Sequence, residues 1–337
     1  MTHITTPDVL VIGDLHLKTP QIETRVKNVI TSMPSINKVV FLGDLNDDWN
    51  ASPEDRVHGM ESFLDLHHWL KSQDVEVVTL IGNHDASYLP WVDSTSLTFR
   101  NASPGHDYDS EHEISGMLSQ VPDLKMAELI HIAEVPTVLT HAGVTASWLI
   151  RNMPDKADDP QAVVDGLNQM LVNGDWNSLY VIGRTRGGLH SSIPSPLWAD
   201  IKELAYDPAE GFNQIVGHSP VSTVTTVHVH GGSDTSEIIS GIAWDPMPGS
   251  NDASTIDRTR SGPNDTSTDV AWNVDQTLVF CDTLSCYSDG EPIGDGSFLL
   301  LDTHDGGMGR LMPNGDVINV EVDDLDLDDD HTKKINW

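Results

Sequence analysis

Val9-Leu10-Val11-Ile12-Gly13-Asp14-Leu15-His16 sets the pattern that decides the fold: a short apolar run ending on a glycine turn that carries a carboxylate and an imidazole. The arrangement returns at Val39–Leu42 into Gly43-Asp44-Leu45-Asn46-Asp47 and at Val75–Ile81 into Gly82-Asn83-His84-Asp85. It returns twice more, at Thr137–Thr140 into His141-Ala142-Gly143 and at Ile215-Val216 into Gly217-His218-Ser219-Pro220. Apolar runs this short, without polar alternation, read as strands buried on both faces. Between the first three, Gln21–Met33 and Asp55–Lys71 have helical spacing, and Phe63, Leu64, Leu66 and Leu70 can share one face of the second. Strand and helix in alternation predict an α/β chain, and the turns at the carboxyl ends of such strands are where ligands gather.

Outside these runs the periodicity is weaker. Residues 91–125 have no steady period and read as an insertion with one short helix, a lid or a cap. Trp148–Met153 and Gln161–Val172 look helical. Residues 231–270 are rich in Gly, Ser, Asp, Thr and Pro and read as a long loop. Because Thr277–Asp282 and Ser297–Asp302 return as strands, that loop is an insertion within the fold. The expected organisation is one domain over 1–320 followed by an acid-rich tail, 321–337.

With 337 residues and 38% apolar side chains the chain can bury a sizeable core, which excludes global disorder. Its apolar runs are far shorter than a membrane span, and its first residues lack a basic segment followed by an apolar run, so the expected location is cytoplasmic. Charge is the extreme feature: 18 Lys and Arg against 52 Asp and Glu give a net charge of −34. That balance argues against a nucleic-acid binder, which needs a basic face to displace counterions from phosphates. A self-repelling acidic surface is tolerable where concentrated salt screens it, so the composition points to a halophilic source, with an ordinary acidic protein as the alternative. Cys281 and Cys286 are too few for a disulfide framework or a thiolate zinc site and read as two buried thiols on or after a strand.

Collected from the five turns, Asp14, His16, Asp44, Asn83, His84, Asp85, His141 and His218 are all carboxylate, amide or imidazole. Two neighbouring divalent cations need such a set: one carboxylate to bridge them, with capping ligands on either side. Asp44 is the expected bridge. Asp14 and His16 suit one ion; Asn83 through its carbonyl, with His141 and His218, suits the other.

In this order the five turns resemble the motifs of the calcineurin-like metallophosphoesterases, over about residues 8–302. The resemblance implies a four-layer sandwich, two mixed β-sheets flanked by helices, with two divalent metals at its top. It also implies attack on phosphorus by a metal-bridging hydroxide. His84 would protonate the leaving oxygen, with Asp47 holding its tautomer, and Asp85 would stabilise the turn. Within the superfamily the chain looks nearest the phosphoprotein phosphatase and diadenosine tetraphosphatase branch, which includes phosphatases of tailed viruses. His141 is followed by Ala-Gly, and Gly217-His218-Ser219-Pro220 lacks a second histidine. The substrate is then a phosphorylated protein or a nucleotide.

Gly183-Arg184-Thr185-Arg186-Gly187-Gly188 lies between two metal motifs in a chain with only nine Arg, so Arg184 and Arg186 are the expected phosphate ligands. One departure bears on substrate: where protein phosphatases usually have an Asp-Arg pair, this chain has Asp47-Asp48. Oxygen and nitrogen ligands without thiolate admit Mn²⁺, Fe, Co²⁺, Ni²⁺ or Zn²⁺, with Mn²⁺ the working choice. The competing readings are a phosphodiesterase and a non-catalytic structural or virion-associated protein that keeps the fold.

Overall fold

A computed structural model describes residues 4–89, 103, 105–122, 124–230 and 275–320. The first sheet has the strand order β11-β10-β9-β1-β2-β3 and is formed by β1 (Val9–Ile12), β2 (Lys38–Phe41), β3 (Glu76–Thr79), β9 (Phe298–Asp302), β10 (Gly307–Leu311) and β11 (Val317–Asn319). The second has the order β4-β5-β6-β8-β7, from β4 (Ala127–Ile132), β5 (Val135–Thr140), β6 (Asn213–Val216), β7 (Thr225–His230) and β8 (Asp275–Phe280). Both are mixed: β1, β2 and β3 run parallel, as do β5, β6 and β8, while β9, β10 and β11 in the first sheet and β4 and β7 in the second pair antiparallel.

Alternation along the strands builds the layers. In β1, Val9 and Val11 join Val40, Leu42, Val78, Leu139, Ile215 and Val279 in the core between the sheets. Leu10 and Ile12 point the other way, onto α1 (Thr19–Ser32) and α2 (Pro53–Ser72). On the far side Val138 packs with Trp148, Val163, Val164 and Leu167 of two further helices, Ala146–Asn152 and Pro160–Asn173. The result is the expected four-layer sandwich. The helix expected within residues 91–125 forms at Glu111–Leu118; much of the first half of that insertion, and the loop and tail expected at 231–270 and 321–337, lie outside the described residues.

Parallel strands start and end together, so β1, β2, β3, β5 and β6 release their glycine turns along one edge of the two sheets. Between the sheets a charged cluster ties β2 and β3 to β4. Lys38 Nζ lies 2.9 Å from Glu128 Oε1 and 3.1 Å from Glu76 Oε1, and Lys125 Nζ lies 2.8 Å from Glu128 Oε2. Burial opposes the charge on Glu128, but Lys125 and Lys38 outweigh it and hold the carboxyl below its usual range. A carboxyl depressed by folding stabilises above its unfolded pKa and loses that contribution as pH falls through the folded value. Glu128→Gln should therefore cost about 1–2 kcal/mol near neutral pH. In denaturant titrations the difference from wild type should vanish in acid and shrink in molar salt. An undiminished difference at low pH would refute the electrostatic account.

Candidate metal centre

Asp14, Asp44, Asn83, His141 and His218 are each at most 6% exposed, and His16 is close behind at 16% for its side chain. Such polar density without water needs compensation, and backbone amides supply part of it. The amide of His218 donates to both oxygens of Asp14, at 2.9 and 3.0 Å, and the amide of His84 donates to Asp44 Oδ1 at 2.9 Å. The fifth motif thus holds the carboxylate of the first, and the third that of the second.

The turns reach this arrangement at a conformational cost. His16, Asp44, Asp47 and His218 adopt φ of 42, 47, 66 and 63°, in the left-handed region that side chains with a Cβ rarely occupy. Strain of this kind persists where surrounding structure over-determines it, and it clusters at functional sites. Two glycines are required for space: a Cβ on Gly82 would overlap Asp44 Oδ1, and one on Gly217 would overlap Asp14 Oδ1.

Lone pairs converge at the centre. His141 Nδ1 lies 2.9 Å from the Leu42 carbonyl, which can only accept, so this nitrogen carries the proton. In the neutral ring Nε2 is then an acceptor, yet it faces Asn83 Oδ1 at 2.9 Å, His218 Nδ1 at 3.2 Å and Asp44 Oδ2 at 3.4 Å. His16 repeats the logic: Nδ1 donates to the Asp47 carbonyl at 2.7 Å, turning Nε2 toward Asp14 Oδ2 at 3.9 Å and Asp44 Oδ2 at 4.0 Å. Acceptors aimed at one another fit a cation. Asp44, His141 and His218 form one group of metal-binding geometry and Asp14, His16 and Asp44 a second, sharing Asp44.

The same burial and crowding of charge appear in proton affinities. Burial, Asp282 and Asp44 together push the Asp14 carboxyl well above its usual range. Burial lowers His16 and, with Arg186 nearby, holds His218 far below the usual imidazole value, leaving both free to act as neutral ligands. Burial also opposes the charged form of His84, but Asp44 and Asp47 overcome it and raise that imidazole to about 9.

His84 stands beside the cluster. Its Nδ1 lies 3.1 Å from Asp47 Oδ2, its Nε2 lies 4.0 Å from Asp44 Oδ2, and its ring meets His16 edge-on. Asp85 takes the turn-stabilising position: Oδ1 accepts from the amides of Leu45 and Asn46 and from Asn46 Nδ2, and Oδ2 from the amide of Gly82. Arg186 is half-buried. Its Nε pairs with Asp200 Oδ2 at 2.9 Å, and its Nη2 donates to the His218 carbonyl and Ser219 Oγ, both at 3.1 Å. Arg184, on the same turn of 3₁₀ helix, is exposed. Trp198, 5% exposed, packs its ring edge against His218 and Tyr180 as a wall of the site. A cleft of about 710 Å³ opens beside His16, bordered by Lys18, Asp48, His58 and Cys286.

Two participants are absent from the five turns. Asp282, at the end of β8, is 1% exposed and acts electrostatically on Asp14, His16 and Asp44. Its signal was an apolar strand, Thr277–Cys281, ending on a carboxylate. Arg56, 6% exposed in α2, places Nη1 on Asp47 Oδ1. Its signal was a cation on the face of α2 that carries Met60 and Phe63.

The family profile described as calcineurin-like phosphoesterase matches residues 7–246, and the chain belongs to that family, as a metal-binding phosphoric ester hydrolase. Among curated proteins a sequence search finds no match. Among solved structures, the cold-active protein-tyrosine phosphatase of a psychrophilic Shewanella species is 14% identical. The alignment covers 95% of this chain and 82% of that one, with a TM-score of 0.46. Vps29 of Chaetomium thermophilum is 13% identical over 93% of this chain and 90% of that one, with a TM-score of 0.31. No described helix is long and apolar enough to cross a membrane.

The glycine clearances make the centre testable. Gly217→Ala should force Asp14 aside and weaken metal binding about tenfold or more, read by equilibrium dialysis with elemental analysis. Gly116→Ala, where a Cβ would meet nothing within 4 Å, should bind metal as wild type does. Undiminished metal in the Gly217 variant would sink this account of the turn.

Proposed function

We propose that the chain is a two-metal phosphatase cleaving phosphomonoester or phosphoanhydride bonds, of the phosphoprotein phosphatase and diadenosine tetraphosphatase branch. One observation carries this reading: Asp44 Oδ2 is shared by two groups of converging acceptors, the placement a bridging carboxylate requires. Asp14 and His16 would hold one ion with Asp44; Asn83, His141 and His218 would hold the other with it. When bound, two such ions supply a water acidified to near-neutral pKa and a clamp on the phosphate oxygens. Mn²⁺ is the proposed metal.

The chain's own residues supply the rest. His84, kept as an imidazolium by Asp44 and Asp47, is the proton donor to the leaving oxygen. Asp47 fixes its Nδ1–H and so turns Nε2 to the side of Asp44. Arg184, exposed two residues before Arg186, is the freer of the two proposed phosphate ligands, while Arg186 also braces the His218 turn. The cleft beside His16 gives the leaving group room. Residues 1–320 would form the single catalytic domain. The composition supports a cytoplasmic setting in a salt-loaded cell, or in such a cell as the host of a virus.

Wild type and His84→Ala should be compared on p-nitrophenyl phosphate, its diester, a phosphopeptide and diadenosine tetraphosphate, in roughly 2 M KCl with Mn²⁺. Wild type should favour the monoester or the tetraphosphate over the diester. His84→Ala should lose about 10²–10⁴-fold in kcat while retaining two metals per chain. Faster turnover of the diester would replace this reading with a phosphodiesterase. Two bound metals with no turnover of anything would replace it with a structural protein.

A further inference from the structure

Asp47 is gripped from three sides. Arg56 Nη1 pairs with its Oδ1, and the Tyr88 hydroxyl donates to the same oxygen at 2.8 Å. Oδ2 remains for His84 Nδ1 at 3.1 Å. Tyr88 is itself fixed, since its hydroxyl accepts from the Asp107 amide at 2.7 Å and its ring stacks on His106 with centroids 4.4 Å apart. Arg56 and Tyr88 are 6% and 1% exposed, so neither faces solvent. Asp47 is followed by Asp48, so no neighbouring cation in the turn competes for its carboxylate, and the guanidinium arrives from α2 behind it.

We propose that Arg56 and Tyr88 are positioning residues for proton transfer, locking Asp47 so that its free oxygen orients His84. The inference rests on the reading of His84 as proton donor. In that step the bond from phosphorus to the leaving oxygen breaks as the bond from phosphorus to the oxygen of water forms, the water having lost one proton to solvent beforehand. The Nε2 proton of His84 passes to the leaving oxygen. The ring is left neutral with its proton on Nδ1, the form that Asp47 Oδ2 selects. A carboxylate held at one oxygen by two donors cannot rotate away from His84; with either donor removed it can.

The test uses leaving groups of different basicity, because help from a proton donor matters most when the departing oxygen is a poor leaving group. Arg56→Ala, Arg56→Lys, Tyr88→Phe and His84→Ala would be assayed in the full chain with Mn²⁺ on phenyl phosphate and p-nitrophenyl phosphate. Metal content and thermal melting would be followed alongside. His84→Ala should lose far more kcat on phenyl phosphate than on the nitrophenyl ester. Arg56→Ala and Tyr88→Phe should show the same asymmetry, with kcat on phenyl phosphate down about 10–100-fold, KM unchanged and two metals retained. Arg56→Lys should recover part of the loss, since an ammonium restores charge without the planar fork. If Arg56→Ala fails to fold, Tyr88→Phe, which removes only a hydroxyl, decides the matter.

Equal losses on both substrates in the Arg56 and Tyr88 variants, with the asymmetry kept in His84→Ala, would overturn the positioning role and leave the proton donor standing. Equal losses in His84→Ala itself would remove the donor and this inference with it.

Discussion

Four carboxylates, Asp14, Asp44, Asp85 and Asp282, are buried to within 2% exposure at the ends of strands in two sheets, and the rest of the molecule is arranged around that expense. Uncompensated charge in a core of this kind is untenable. Asp85 is satisfied by four donors yet is still pushed up to about 7 by burial and by Asp44. Asp14 has the amide of His218, and Asp44 the amide of His84, but both keep an oxygen directed at acceptors. Backbone and imidazole alone do not balance the cluster. Divalent cations would, and the strained φ values at His16, Asp44, Asp47 and His218 describe a backbone bent to serve that balance.

This constraint explains why the fold was legible. A buried carboxylate must sit on a turn tight enough to aim it, and a parallel strand must be an apolar run, so each functional position announces itself as a run followed by Gly and an acid or amide. Val9–Ile12 into Asp14 and Lys38–Phe41 into Asp44 follow the rule, and the helices between them begin and end close to the expected positions. The pairing of β1 with β9 does not follow from any such rule, because antiparallel return from nearly three hundred residues away leaves no local pattern.

The residues that escaped sequence reasoning did so for related reasons. Asp282 ends its strand without a glycine; that role falls across the sheets to Gly13, whose missing Cβ makes room for the Cys281 carbonyl. Arg56 sits nine residues past the carboxylate it serves, one helical turn before Gly59 and Met60 on the buried side of α2. A motif search sees only Asp48 where a cation was sought. A helical wheel sees a guanidinium on an apolar face, which has to find an acid, and Asp47 is the acid it finds.

Cations are scarce in a chain of −34, and where they stand is therefore informative. Several of the buried and half-buried ones are committed to acids: Arg56 to Asp47, Arg186 to Asp200 with the His218 turn, Lys38 between the sheets to Glu76 and Glu128, Lys18 to Asp48. Two of these, Arg56 and Arg186, sit behind groups of the centre, one behind Asp47 and one behind His218. Salt can screen repulsion across an acidic surface, but it reaches buried pairs far less. Surface lysines can thus be given up in such a chain, whereas the two arginines that hold the centre cannot be replaced by dissolved ions.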